Sequence, residues 1–318
     1  LESGSQAVAF GQRRDAAVAL LILLLNTRLR RKTMTTNNPD NVITPASQSS
    51  APCRLSIMAD DFGLHPAVNA GIVETFLRGL LTDANVMAPC SALKEAAELA
   101  RRHKLPVGMH STFTCDFDLY RWGPLTPMKT LVAADGRFQY EHEWGKANVE
   151  EARRELFAQY DALRGEGLEL THLSEHMGVD DGGTFAALQA ELALAKNLPH
   201  RSHTKTQFRT FAPLRYAIDG FVRTSSIPGW EKRKRRLREM LAQLQPGSHH
   251  IWVVHPAADH PALDRLASAD SRAFVWARPY RALDRALLLD PEVKQWLVEL
   301  NIVPTPIQNF PIFRANGS

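Results

Sequence analysis

Cysteine is scarce in this chain of 318 residues, which has only Cys53, Cys90 and Cys115. The number is odd and no two form a C-x-x-C pair, which argues against a disulfide framework and a cysteine-based zinc site. Three free thiols fit a reducing compartment, so a cytoplasmic location is expected. Long apolar runs are missing too. A spanning helix needs roughly 20 apolar residues, and residues 16–25 offer only ten, so no stable membrane span is expected. An excess of one charge is nearly absent: 38 Lys and Arg stand against 34 Asp and Glu, net +4. Arg13, Arg14, Arg28, Arg30, Arg31 and Lys32 against Glu2 and Asp15 account for all of that excess, and the remaining residues sum to zero. The body is therefore neutral, which argues against a polyanionic partner such as nucleic acid. The basic run from Lys232 to Arg238 does not change this. Glu231 and Glu239 flank it, and Leu237 and Met240 fit a core stripe, as on a solvated helix face. Asp61-Phe62-Gly63 spells a kinase-like D-F-G, but the chain has no G-x-G-x-x-G loop and no H-R-D segment.

What is present is ordinary globular material, 44% apolar and 23% charged. Residues 1–52 read as a disordered or extraneous tail. The apolar stretch 16–25 lies between basic clusters, and an Asn/Pro/Ser/Thr-rich lead-in follows it. Met34 is one candidate start, and a leader core or a membrane-associated segment are the other readings of the tail. Residues 53–318 read as a single domain with no internal linker.

Within that domain, short apolar runs alternate with helical patterns. Strands are expected at 55–59, 85–88, 105–109, 168–173, 251–254 and 302–304. Helices are expected at 66–77, 93–103, 149–166, 185–197, 231–244 and 291–300. Residues 111–144 read as irregular, with Gly123-Pro124 and Asp135-Gly136 as turns. Residues 200–228 give no clear periodicity beyond one or two short strands. Repeated β-then-α order predicts parallel strands with right-handed crossovers. About six or seven strands in a domain of this length suit a TIM-like α/β barrel, whose chemistry sits at the C-terminal strand ends.

Polar residues gather at those ends. Asp60 and Asp61 close the first strand, His110 the third, His172 the fourth with His176 just beyond, and His255 a late one. Paired Asp residues can be a solvated turn that caps the next helix. They can also divide labour, one binding a metal and the other taking a proton from a metal-activated water. An Asp with two His and open positions is a catalytic ligand set. By ligand type it suits zinc, and with open water positions magnesium or manganese. Beyond its place at a strand end His172 carries no site signal, and neither do His65, His103, His142, His200, His203, His249, His250 and His260.

Met58-Ala59-Asp60-Asp61-Phe62-Gly63-Leu64, with Asn69 and Gly71-Ile72, resembles the opening motif of the YdjC-like (ChbG-type) carbohydrate deacetylases. Val107-Gly108-Met109-His110, Thr171 to Gly178, Val254-His255-Pro256, and Arg281 with Asp284 resemble its later segments, in order, across residues 54–307. The resemblance implies a distorted TIM-like barrel of the polysaccharide-deacetylase type and a divalent metal, usually magnesium. It also implies removal of N-acetyl groups from amino sugars, typically short chitin-type oligosaccharides. Asp61, His110 and His176 would be the metal ligands, Asp60 the catalytic base, and His255 the group that protonates the leaving amine. Ser174 stands where the family usually has Asp. In the irregular segment, Tyr120, Arg121 and Trp122 are candidates to contact the sugar, with loop packing the other reading of Trp122. The partner implied is a small N-acetylated carbohydrate, and a homo-oligomer is compatible with the sequence. Two rivals remain: an impaired sugar-binding protein on the same scaffold, suggested by Ser174, and a metallopeptidase, suggested by the H-x-x-E-H pattern of His172, Glu175 and His176. The second requires a helix, whereas 168–173 reads as a strand.

Overall fold

The organising strand is β1 (Cys53–Phe62), buried at every position except Arg54. A strand covered on both faces reads as a continuous apolar run and belongs at the centre of a parallel sheet. β7 (His249–Val254) pairs along one edge of it, against residues 54–59. β8 (Ile302–Pro304) and β2 (Asp83–Val86) share the other edge, β8 at the start and β2 at the end. The structure is a computed structural model, and it describes residues 51–140, 146–178, 183–201, 213–268 and 276–314. Residues 1–50 of the expected tail, His142 and His203 lie outside the described residues.

With β3 (Val107–Ser111), β4 (Leu170–Glu175) and β6 (Gly220–Arg223), these strands form a seven-stranded sheet in the order β4-β3-β2-β1-β7-β6, with β8 on β1. Its pairings are parallel. The helices are α1 (Pro66–Arg78), α2 (Leu93–His103), α3 (Val149–Gly165), α4 (Thr184–Ala195), α5 (Trp230–Leu241), α6 (Arg278–Leu289) and α7 (Pro291–Glu299). His65 opens α1: its Nδ1 accepts from Ala67 N at 3.0 Å, and Pro66 supplies a preset first turn. The helix cap is thus His65 and neither Asp of the pair.

The sheet curls. His200 bridges β4 to β5 (Leu214–Tyr216), which pairs antiparallel with β9 (Ile312–Arg314). Laid flat, β5 and β6 would stand about 34 Å apart at the usual strand spacing. Residues 217–219 join them, a link that reaches at most about 15 Å. The two edges are therefore drawn together into the distorted, TIM-like form expected from the sequence. Met58, Tyr216, Ile218, Ile251, Ile307 and Phe310 pack together as one buried apolar cluster. Cys53, Cys90 and Cys115 are free thiols. No helix among the described residues is long and apolar enough to cross a membrane.

One helix differs from expectation. α6 was not foreseen, because two of its four buried residues are Arg281 and Asp284, which interrupt the apolar stripe. β5 and β6 are the short strands expected within 200–228, and at three and four residues they are too short for a period-two pattern to fix their bounds.

Candidate metal centre and catalytic cleft

In a regular strand, Asp60 and Asp61 would point to opposite faces. Here the pairing of β1 with β2 slips between Ala59 and Phe62, and Asp61 takes φ 71°. This left-handed conformation is uncommon for a non-glycine residue and is found where a site requires it. The irregularity turns both carboxylates toward one imidazole. His110 Nε2, from β3, lies 3.8 Å from Asp60 Oδ2 and 3.7 Å from Asp61 Oδ1. Asn69 of α1 fixes the turn that follows, accepting from Gly63 N at 2.8 Å and donating to Ala92 O at 3.1 Å.

Asp61, His110 and His176 each offer one ligand atom, and these atoms all lie within 4.8 Å of one another in a buried setting. The tautomer of His110 follows from its neighbours. Ser174 Oγ donates its only proton to Met109 O at 3.1 Å, so it accepts from His110 Nδ1 at 2.9 Å. That leaves the Nε2 lone pair facing the centre. Burial lowers the His110 pKa to about 4, against the pull of Asp60, which keeps the ring neutral. His176 Nδ1 lies 3.3 Å from Asp61 Oδ1, and its Nε2 lies 3.0 Å from Asp116 Oδ2. Burial disfavours its cation, yet Asp116 and Asp61 outweigh burial and raise its pKa to about 10. The centre therefore attracts positive charge. Asp61 Oδ2 accepts from Arg281 Nη2 at 2.6 Å, whereas its Oδ1 is buried with no hydrogen-bond partner. An orphaned carboxylate oxygen beside two imidazole nitrogens is the donor set a divalent cation requires.

Asp60 is held differently. Arg201 grips it with two bonds, Nη1 to Oδ1 at 2.8 Å and Nη2 to Oδ2 at 2.9 Å. Asn85 Nδ2 donates to Oδ1 at 2.5 Å, and Asn85 Oδ1 lies 2.6 Å from His172 Nε2. Burial pushes the Asp60 carboxyl up, but Arg201, His110 and His255 together hold it well below the usual range. Its Oδ2 lies 4.0 Å from His255 Nε2. His255 follows β7. Its Nδ1 lies 3.2 Å from Ser225 Oγ, which donates to Asp284 Oδ2 at 2.6 Å. Arg233 Nη1 donates to the other Asp284 oxygen at 2.7 Å. Ser225 has thus spent its proton, so His255 carries its own on Nδ1 and turns a lone pair at Nε2 toward Asp60. Burial lowers the His255 pKa, partly offset by Asp61 and Asp60.

The family model described as YdjC-like protein matches residues 54–299. The chain belongs to this family. A carbohydrate deacetylase of Clostridium beijerinckii is 32% identical to it over 78% of this chain and 96% of its own length. A chitooligosaccharide deacetylase of Yersinia enterocolitica is 35% identical over 46% of this chain and 58% of its own. A crystal structure from Enterococcus faecalis V583, described as a proposed cellobiose-phosphate cleavage protein, superposes with a TM-score of 0.69. It covers 81% of this chain and 98% of its own at 24% identity, and so speaks for the fold.

For this YdjC-like chain, Asp60, Asp61, His110, His176 and His255 meet in one side-chain cluster. Of the three candidates from the irregular segment, Tyr120 donates its hydroxyl to Leu64 O at 2.7 Å, and Trp122 and Arg121 are likewise engaged. Trp122 is 3% exposed, its Nε1 donates to Thr114 O at 2.9 Å, and its ring packs edge-on against His176. It is wedged beneath the centre as a packing residue. Arg121 Nη2 donates to Phe138 O at 3.1 Å and its Nε lies 3.0 Å from Asp135 Oδ2, which ties the segment to itself. The H-x-x-E-H reading fails, since His172 and Glu175 lie on strand β4 and His172 Nε2 is spent on Asn85. Sequence reasoning passed over Asn85, Asp116 and Arg201, and gave Arg281 and Asp284 no task. Arg201 sits in the stretch without periodicity. The one available signal was Asn85, a polar residue inside a short strand that ends at the same face.

Proposed function

We propose that this chain is a metal-dependent carbohydrate deacetylase that removes N-acetyl groups from amino sugars, with short chitin-type oligosaccharides as substrates. The observation that carries the reading is the buried, unpartnered Asp61 Oδ1 beside His110 Nε2 and His176 Nδ1. The printed names of its relatives favour a carbohydrate substrate, and a neutral body suits an uncharged one. Asp61, His110 and His176 would hold one divalent ion, magnesium by family resemblance. When bound, that ion supplies Lewis acidity that acidifies a water and polarises the acetamide carbonyl.

The chain's own residues do the rest. Arg201 and Asn85 keep Asp60 ionised and aimed, so that its Oδ2 accepts the proton of the attacking water. His255, neutral at rest, takes a proton at Nε2, 4.0 Å from Asp60 Oδ2, and delivers it to the nitrogen as the C–N bond breaks. Ser225 and Asp284 stabilise the imidazolium that forms in between. Acetate and a free amino sugar leave.

The test is acetate release from a panel of N-acetylated mono- and oligosaccharides, with magnesium, manganese or zinc supplied in turn. At least one sugar should yield acetate, and Asp60→Ala should lower the rate by about 100-fold or more. No acetate from any sugar with any metal would overturn the proposal.

A further inference from the structure

On the deacetylase reading, the substrate's amide nitrogen must come to His255 Nε2, so the ring that bears it lies beside His255. Trp276 stands there. Its ring meets that of His255 edge-to-face, with centroids 6.2 Å apart and planes at 63°. The indole is half-buried. Among the described residues, Trp122, Phe117 and Tyr120 near the centre are already engaged. Trp122 and Phe117 are buried against each other at 6.1 Å. Tyr120 donates its hydroxyl to Leu64 O at 2.7 Å and packs against His65.

Arg281 ties Trp276 to the centre, and the indole also packs against the apolar core. Arg281 Nε donates to Trp276 O at 2.6 Å, and its Nη2 donates to Asp61 Oδ2 at 2.6 Å. A single guanidinium therefore sets both a candidate ligand carboxylate and the aromatic wall. Because it grips the Trp276 carbonyl, changing the Trp276 side chain leaves the grip in place.

We propose that Trp276 is the platform on which the pyranose ring bearing the N-acetyl group stacks. An indole face is electron-rich and apolar, and one face of a pyranose presents a row of C–H bonds to match it. An extended acetylated peptide or an open-chain acetylated amine has no such face. This inference rests on the deacetylase reading.

The experiment compares wild type, Trp276→Ala and Trp276→Phe, with Trp230→Phe, on helix α5, as a tryptophan control. Each is checked for a wild-type melting temperature. Two readouts are taken with N,N'-diacetylchitobiose: acetate-release kinetics, and binding to the metal-loaded protein by calorimetry. Trp276→Ala should raise KM and Kd about tenfold or more with kcat within about threefold. Trp276→Phe should recover most of that loss, and Trp230→Phe should match wild type. Unchanged KM and Kd in Trp276→Ala, or a loss confined to kcat, overturns the platform. If Trp276→Ala melts early, Trp276→Phe decides: a ring that folds normally and binds no better than the alanine variant overturns it. If wild type releases no acetate, the deacetylase reading fails, and the binding arm still judges Trp276. Weaker binding in Trp276→Ala then supports the platform, and equal binding, or none by wild type, removes it.

Discussion

Ser174 carries one hydroxyl proton, and the destination of that proton decides what His110 can do. Because it goes to Met109 O, the oxygen is left to accept from His110 Nδ1. A serine can therefore fix the imidazole tautomer that an aspartate fixes by charge, with less gain in ring basicity. This weakens the case for an impaired binding protein, which rested on Ser174 alone. Ser174→Ala should strand the buried Nδ1 proton and weaken divalent-metal binding by about 10- to 100-fold, and Ser174→Asp should restore or exceed the wild-type affinity. Metal titration of the three proteins checks this, and equal affinity in Ser174→Ala would show that Ser174 does not orient the ring. The Ser-for-Asp exchange was legible in the sequence. Its consequence was not, since it depends on a backbone carbonyl that only the β3–β4 pairing brings within reach.

Helix α1 shows how an element can set a catalytic distance. A Cβ on Gly71 would fall 2.4 Å from Ala257 Cα, closer than real contacts allow, and Ala258 N donates to Ala67 O at 2.8 Å. The helix thus packs directly on the chain that leaves His255. Gly71→Ala should cost about 1–3 kcal/mol of stability through overpacking and lower kcat by displacing His255 from Asp60. Urea unfolding with steady-state kinetics tests it, and a change under about 0.5 kcal/mol with normal kcat would mean that the contact is soft. This is the physical content of the Gly71-Ile72 pair in the opening motif. The elements that sequence periodicity could reveal are those buried on one regular face or on both, such as β1, α2 and β7. α6 was hidden because its inward face serves the site: Arg281 reaches Asp61, and Asp284 reaches Ser225 and His255 N.

At the scale of the molecule, a parallel sheet drawn into a curl carries its C-terminal strand ends together. That is why asking which polar residues end strands gathered Asp60, Asp61, His110, His176 and His255, together with His172, whose Nε2 faces Asn85 instead; the family resemblance gave the five their expected roles. The residues that tune them could not be gathered this way. Asn85, Asp116 and Arg201 act across the cluster, through distances set by curvature rather than by spacing along the chain. The central claim is that Asp61, His110 and His176 hold one divalent ion and that deacetylation depends on it. The most direct measurement is acetate release by chelator-treated protein as a divalent metal is titrated back, for wild type and His176→Ala in parallel. The account predicts no release after chelation, full recovery near one equivalent in wild type, and little recovery in His176→Ala at that concentration. Undiminished release in the chelated protein, or wild-type recovery in His176→Ala, would contradict it.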